Sequence, residues 1–415
     1  MRRRQFLHTA GALAALASTG CASIAGKAKP HVVVVGGGYG GATAARYVRM
    51  WSEGVVDVTL VEPNARFVSC PLSNLVLGGS RQLTDLTMSY AKLSSQHGIR
   101  VIQSTAQNID PAKRTVTLAG GQVLHYDRLI VSPGVDFMFD ELPGSSSAMH
   151  AWKAGPATLA LRAELEKMPD GGTFVMTIPP APYRCPPGPY ERACQVAHYF
   201  SRAKPRSKVL ILDANDDVVS KGALFKRIWA QRYPGMIEYR PQFKTVRVES
   251  NRVFSELGER VDGAVLNIIA PQRAGAIAVQ TGLANVNRRW CGVDFLSFES
   301  TAAANVHVLG DAIQTSPLMP KSAHMANQHA KVCAAAIIDM LSGRAPDAKP
   351  VLTNTCYSFI SDTDVIHVAS VHAYDAAQKT LLVVPGSGGV SAEASSQEGV
   401  YAFNWARNIW ADTLG

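Results

Sequence analysis

The sequence has 415 residues, 47% hydrophobic and 18% charged, which suits two or three packed domains and excludes a disordered chain. Arg2, Arg3, Arg4, Lys27 and Lys29 carry five of the nine net positive charges, and the remaining +4 is too weak for nucleic-acid binding. No low-complexity block or internal repeat is visible.

Residues 1–28 read as a targeting segment. Arg2-Arg3-Arg4-Gln5-Phe6-Leu7 precedes an apolar run from Ala10 to Ala17, the pattern of a twin-arginine export signal. The expectation is export of a folded protein to the periplasm, with cleavage between Ala22 and Ala28. Gly20-Cys21 faintly resembles a lipoprotein site, but Ser18 stands where a leucine is usual. The run is too short to span a bilayer, and no later stretch reaches that length, so stable membrane insertion is not expected.

The first structured stretch is His31 to Ala45. Val32 to Val35 read as a strand buried on both faces. Gly36, Gly38 and Gly41 follow at G-x-G-x-x-G spacing. The first glycine makes the tight turn, the second admits a pyrophosphate to the backbone, and the third packs helix on strand. A second strand, Val56 to Val61, ends in Glu62, placed to hydrogen-bond a ribose. This combination predicts a dinucleotide site on a helix N-terminus.

The segment Arg66 to Asn74, with Cys70, follows and can run toward a flavin ring. Arg100 to Ser104 and Thr115 to Leu118 read as strands. Tyr126-Asp127-Arg128-Leu129-Ile130-Val131-Ser132-Pro133-Gly134 resembles the segment that leads from the first to the second domain of flavin oxidoreductases with two dinucleotide domains.

A second nucleotide-type unit begins with a strand from Gly172 to Ile178. A helix from Glu191 to Arg202 and a strand from Lys208 to Leu212, ending in Asp213, complete the pattern. Its strand-to-helix loop, 179–190, lacks a glycine triad and is rich in proline. Proline offers no N–H to a phosphate, so this unit is expected not to bind NAD(P)H. The loop carries Cys185, and six residues later Glu191 starts the helix.

Asn305 to Ala312 reads as a strand ending in Gly310-Asp311, where the aspartate is expected to bind the ribityl chain. A helix opens near Pro320-Lys321-Ser322 and runs to Leu341. Its start, with Lys321, is expected to face the flavin and stabilise negative charge there. His324 and His329 read as polar helix positions five apart, and no Cys or His spacing suggests a metal site. The tail from about Lys349 adds strands at Val351 to Ile360, Val365 to Val371 and Thr380 to Val384. A helix from Tyr401 to Leu414 closes it. Six cysteines lie past the signal, and the absence of Cys-x-x-Cys-His means that this chain attaches no c-type haem.

Cys185-Pro-Pro-Gly-Pro-Tyr-Glu191-Arg192, Ser69-Cys70-Pro71-Leu72-Ser73-Asn74 and Asn354-Thr355-Cys356-Tyr357 together resemble the flavoprotein subunit family of flavocytochrome c sulfide dehydrogenases. That family is related to the sulfide:quinone oxidoreductases. The resemblance implies a glutathione-reductase-like α/β fold with two dinucleotide-binding domains and a C-terminal α+β capping domain. The implied divisions are 1–28 (signal), 29–143 with 275–346 (FAD-binding), 144–274 (NAD-like, without the glycine loop) and 347–415 (capping).

It further implies FAD, joined covalently through Cys70, and a redox-active disulfide between Cys185 and Cys356. Glu191 would be the proton acceptor. Gly36, Gly38, Gly41, Glu62, Gly310, Asp311 and Lys321 would hold the cofactor. Cys194 is a rival partner for Cys185 and reads as a buried helix residue; Cys291 and Cys333 read as structural. The implied substrate is hydrogen sulfide and the product elemental or polymeric sulfur. The implied acceptor is a separate haem-bearing cytochrome c subunit, in a heterodimer. Alternatives are a sulfide:quinone oxidoreductase, a non-catalytic FAD-holding partner and an NAD(P)H-dependent disulfide reductase. The proline loop and the absence of Cys-x4-Cys in the first domain speak against the last.

Overall fold

The computed structural model describes residues 29–415; the expected signal segment lies outside the described residues. Five parallel strands form the first sheet, in the order Val306–Val308, Arg128–Val131, His31–Val35, Asp57–Val61, Arg100–Ile102. His31–Val35 is central, and Val32, Val33 and Val34 are fully buried, as an uninterrupted valine run in a parallel sheet requires. The helix Tyr39–Trp51 leaves the glycine loop and buries Ala42, Ala44, Ala45 and Val48.

The second sheet is also parallel, in the order Ile237–Arg240, Lys208–Asp213, Thr173–Ile178, Val265–Ile268. Its first helix spans Gly188–Ala203, three residues earlier than the sequence suggests. Pro189 is the cause: a proline in the first helical turn gives up an N–H that has no intrahelical partner anyway. The polypeptide then returns to the first sheet through Val306–Val308 and the helix Ala323–Leu341. That helix is capped by the Ser322 hydroxyl, which accepts from the Met325 N–H at 3.0 Å.

The third unit pairs Val351–Phe359, Val365–Asp375 and Thr380–Val383 antiparallel. Its helix, Ser396–Leu414, starts five residues before Tyr401, because the Ser395 hydroxyl accepts the Glu398 N–H at 3.2 Å. The same helix packs on the first unit. Arg46 donates to the carbonyls of Ala411 (2.8 Å) and Asp412 (2.6 Å), Asn327 to the Asp412 carboxylate (2.8 Å) and Thr43 to Thr413 (3.1 Å). A guanidinium on the last carbonyls of a helix both satisfies them and meets the negative end of the dipole. Among the described residues no helix is long and apolar enough to cross a membrane.

Candidate functional site

All three units open onto one cleft of about 480 Å³. The glycine loop forms its floor. Gly36 has φ +98°, and a Cβ there would sit 2.3 Å from the Ser132 carbonyl oxygen. At Gly41 a Cβ would sit 1.8 Å from the Gly36 oxygen, while at Gly38 it would meet only open space. Gly36 and Gly41 therefore shape the loop from behind, and Gly38 leaves its backbone bare to the cleft. Glu62 lines the cleft and accepts the Gly37 N–H at 2.6 Å.

Gly310 and Asp311 also line the cleft, close to the glycine loop: a Cβ at Gly40 or at Gly310 would lie 2.6 or 3.6 Å from the same Ser132 hydroxyl. The Gly310 N–H donates to His329 Nδ1 at 3.3 Å. Burial, with Lys321 and His372 adding to it, lowers His329 to about 3, so its ring is neutral. In the unfolded chain it would titrate at 6.5, so its contribution to stability is complete above that value and drains as pH falls toward 3. The expected result is that His329→Gln, which keeps an acceptor for Gly310, flattens the acid side of the Tm-versus-pH curve. The parent should lose up to about 1.4 kcal/mol more per pH unit below pH 6.5. Equal slopes in calorimetry would exclude this.

Asp311 is partly exposed to the cleft, and its buried Oδ1 has no partner. Burial raises its pKa, against the charges of Arg184 and Lys321. An orphaned carboxylate oxygen facing a cleft between a glycine loop and a strand end fits a ribityl hydroxyl. Lys321 behaves differently from the expectation. Its ammonium turns away from the cleft and donates to the carbonyls of Asp311 (2.9 Å) and Ile313 (2.6 Å), 3.7 Å from the Trp290 ring centroid. Burial lowers it to about 7. Ser322, Ala323 and His324 line the cleft in its place. Lys321 joins the units by its backbone instead: its carbonyl accepts the Cys185 N–H at 2.8 Å.

Cys70 lines the cleft just beyond the short strand Phe67–Val68. Its neighbour Ser69 is pinned by the Tyr39 hydroxyl at 2.6 Å, and Tyr39 in turn accepts from the Trp410 indole at 3.0 Å. Asn74, four residues on, reaches the second unit. It donates to Glu191 Oε2 (3.1 Å) and the Gly188 carbonyl (3.2 Å), and accepts from Arg192 Nε at 3.0 Å.

The roof holds Cys185, Glu191 and Cys356, from the second and third units. All six cysteines among the described residues are thiols. Cys185 takes a left-handed backbone, φ +58°, and Gly188 has no room for a Cβ, which would lie 2.8 Å from the Cys185 sulfur. Burial pushes the Cys185 thiol up, and Cys356 and Glu191 push the same way. Burial also raises Cys356, opposed by the Lys221 charge and the side chains of Asn354 and Ser322. The Cys356 charge is among the groups that push Cys185 up, and both side chains line the cleft.

Glu191 is 8% exposed. Its Oε1 accepts the Phe359 N–H at 3.1 Å, which ties it to the strand of Cys356. Burial raises its pKa, against the Phe359 N–H, the Asn74 amide, Lys221 and Arg192. Arg192 is spent on structure: it donates to Asn74, to Asn267 Oδ1 (2.8 Å) and to the His150 and Ala151 carbonyls (3.2 and 2.8 Å). Asn74 and Arg192 stand in the motifs quoted from the sequence but were given no role there, and Lys221 was not singled out. Charged neighbours such as Glu191 and Arg192 opening an otherwise buried helix were the available signal.

Cys194 lies in the core of the second unit with Phe225 and Trp229, away from the cleft, and Cys291 and Cys333 are fully buried. The position where a nucleotide ribose would meet this unit is filled from within. Asp213 accepts from Tyr190 (2.7 Å), Tyr239 (3.1 Å) and the Asn215 N–H and amide (3.0 and 2.7 Å), and is fully buried.

Fold and cleft define a flavoprotein of the pyridine nucleotide-disulphide oxidoreductase class, and residues 30–170 match the family of that description. Residues 158–270 match "sulfide dehydrogenase (flavocytochrome c) flavoprotein chain, central", and residues 348–414 match "flavocytochrome c sulphide dehydrogenase, flavin-binding". The chain is 58% identical over 46 residues to the sulfide dehydrogenase flavoprotein chain of Chlorobaculum thiosulfatiphilum, covering 11% of this chain and 94% of that sequence. It belongs to the flavoprotein family of flavocytochrome c sulfide dehydrogenases.

A sulfide-quinone reductase of Aquifex aeolicus is 32% identical over 109 residues, which span 26% of this chain and only 25% of that protein. The solved sulfide:quinone oxidoreductase from the same species superposes with a TM-score of 0.77 at 19% identity, covering 92% of this chain and 91% of that one, a likeness of fold. Family membership implies FAD, and the open Gly38 backbone, Glu62 and the unpartnered Asp311 oxygen fit it.

Proposed function

We propose that this chain oxidises hydrosulfide to elemental or polymeric sulfur through a Cys185–Cys356 disulfide and passes the electrons singly to a cytochrome c subunit. The observation that carries this reading is the roof of the cleft. Two cysteines and a buried carboxylate, from the second and third units, line one cavity there. Gly38, Glu62, Gly310 and Asp311 would hold FAD, with Cys70 as its covalent anchor. When bound, FAD accepts an electron pair from sulfur and releases electrons one at a time.

The protein's own part is sulfur and proton chemistry. The hydrosulfide sulfur bonds to one cysteine sulfur as the Cys185–Cys356 bond breaks, and the second cysteine leaves as a thiolate. The proton of the resulting persulfide goes to Glu191, whose burial makes it a stronger base than an exposed carboxylate. Asn74 and the Phe359 N–H fix that carboxylate in place.

His324, Tyr357 and Trp405 line both the cleft and a groove on the outer surface. The groove adds Asn327, Gln328, Lys331, Asn404, Asn408 and Asp412, with Tyr401 and Ile409. Its charged and amide groups support a water-soluble electron acceptor over a quinone in a bilayer. Export to the periplasm by the twin-arginine route rests on residues 1–28 alone.

Anaerobic titration of the holoprotein tests the reading. Sulfide is expected to bleach the flavin, oxidised cytochrome c to restore it, and NADH to do neither. Recovery only with a quinone would transfer the chain to the quinone reductases. Bleaching by NADH, or none by sulfide, would sink the proposal.

A further inference from the structure

Lys221 is the residue whose position the fold itself does least to explain. It is 8% exposed and takes a left-handed backbone, φ +58°, which a side chain with a Cβ rarely adopts. It stands at the N-cap of the helix Gly222–Arg232, where the dipole disfavours a cation. No carboxylate among the described residues lies within ion-pair distance of its ammonium. Three local rules are broken at one residue, and such concentrations mark function more often than packing.

What the ammonium does touch is specific. Nζ donates to the carbonyl of Cys356 at 3.0 Å and to the Ser358 hydroxyl at 2.7 Å. An ammonium has three donors, and these bonds use two. Cys356 and Ser358 alternate on one face of the strand Val351–Phe359, and Asn354 shares that face. Asn354 lies 3.5 Å from the Cys356 sulfur through Nδ2 and holds Ser322 through Oδ1 at 2.7 Å. The Cys356 sulfur thus has the Asn354 amide beside it, while Lys221 is bound to the carbonyl of the same residue and its charge, with the Ser322 side chain, favours the thiolate. The groups facing Lys221 are Cys356, Glu191, Cys185 and Glu398, from the strand, two helices and the redox loop. Glu191 opposes the thiolate at both cysteines; at Cys185 it outweighs each of the charges of Arg184 and Lys221, whereas at Cys356 Lys221 is the leading charge.

We propose that Lys221 is a positioning residue for the cysteine pair, holding the negative charge of the reduced pair on the Cys356 sulfur. This rests on the reading of Cys185 and Cys356 as the redox couple. Reduction of their bond by hydrosulfide gives first a persulfide and a thiolate; once the outer sulfur has left at the zero oxidation level and the hydrosulfide proton stays with the pair, one thiol and one thiolate remain. Lys221 directs the electron pair left without a proton to Cys356 and the proton to Cys185. The thiolate is the species that reacts, so this assigns a different part to each cysteine.

The test is iodoacetamide labelling of dithiothreitol-reduced holoprotein, with each cysteine peptide followed by mass spectrometry across about pH 6 to 10. In the parent, Cys356 is expected to label at least about tenfold faster than Cys185 near pH 7. Lys221→Met should slow Cys356 about tenfold and move its midpoint up by one pH unit or more, with Cys185 shifted clearly less. A merely structural lysine would move both cysteines together or neither. Equal rates for the two cysteines in the parent, or a Cys356 rate untouched by Lys221→Met, would overturn the proposal. Should Lys221→Met fail to hold flavin, the parent comparison alone decides. Failure of sulfide to bleach the parent's flavin would sink the functional reading yet leave the labelling pattern to stand or fall by itself.

Discussion

Cys356→Ser and Cys185→Ser are each expected to lower sulfide-dependent turnover by at least about a thousandfold, a barrier increase of about 4 kcal/mol. Serine has nearly the shape of cysteine and keeps a hydroxyl for the polar surroundings of Cys356, so the fold should survive. It cannot form the sulfur–sulfur bond on which hydrosulfide would act, and its hydroxyl is a far weaker nucleophile than a thiolate at neutral pH. Both cysteines line the cleft with Glu191, so losing either one leaves the carboxylate without a sulfur to serve. The measurement is stopped-flow bleaching of the flavin by sulfide, normalised to bound flavin. Cys194→Ala is the control, since Cys194 sits in the core beside Trp229 and should affect stability more than rate. Turnover within tenfold of the parent in either serine variant would rule out the disulfide mechanism.

Gly41→Ala is expected to abolish flavin retention and to destabilise the fold by about 2 to 5 kcal/mol. The new methyl would lie 1.8 Å from the Gly36 carbonyl oxygen, and a backbone atom cannot swing aside as a side chain can. Either the helix Tyr39–Trp51 lifts off the central strand or the loop unwinds, and both destroy the phosphate cradle. Gly38→Ala is the informative partner, since its methyl meets nothing within 4 Å and projects where the cofactor would lie. That variant should fold with near-parent Tm yet bind FAD weakly. Denaturant unfolding and flavin-to-protein absorbance ratios separate the two cases. A Gly41→Ala protein that keeps its flavin would overturn the assignment of the loop.

The glycine loop was legible because its demands are local: a tight turn, a close helix and a strand of valines are fixed by neighbours in sequence. The helix Ala323–Leu341 was legible to its ends for the same reason, since periodicity and a serine cap delimit it. Where the reading slipped, the deciding partner lay far along the chain or the local signal was overlooked. Ser395 and Glu398 carried a capping signature that would have placed the start of the last helix correctly. Lys321 was recognised as important at a helix start, but the sequence cannot tell which way a side chain turns. Its true partners are two carbonyls and an indole ring. Asn74 meets Glu191 across 117 positions and Lys221 meets Cys356 across 135, distances over which no pattern in one sequence speaks.

The buried Asp213 has a consequence for descent. An ancestor with a working nicotinamide site could lose it by steps, each tolerable, but the reverse path is blocked. Tyr190 now holds the acid, and its fully buried ring packs with Phe225, Trp229 and Tyr239. Cutting it back to free the carboxylate would open a core cavity costing about 3 to 5 kcal/mol, while the loop prolines would still offer no N–H to a phosphate. Regaining a strand-end carboxylate for a ribose and a loop of free N–H groups would therefore take several changes at once, whereas the domain as it stands presents one cysteine and one glutamate to the cleft.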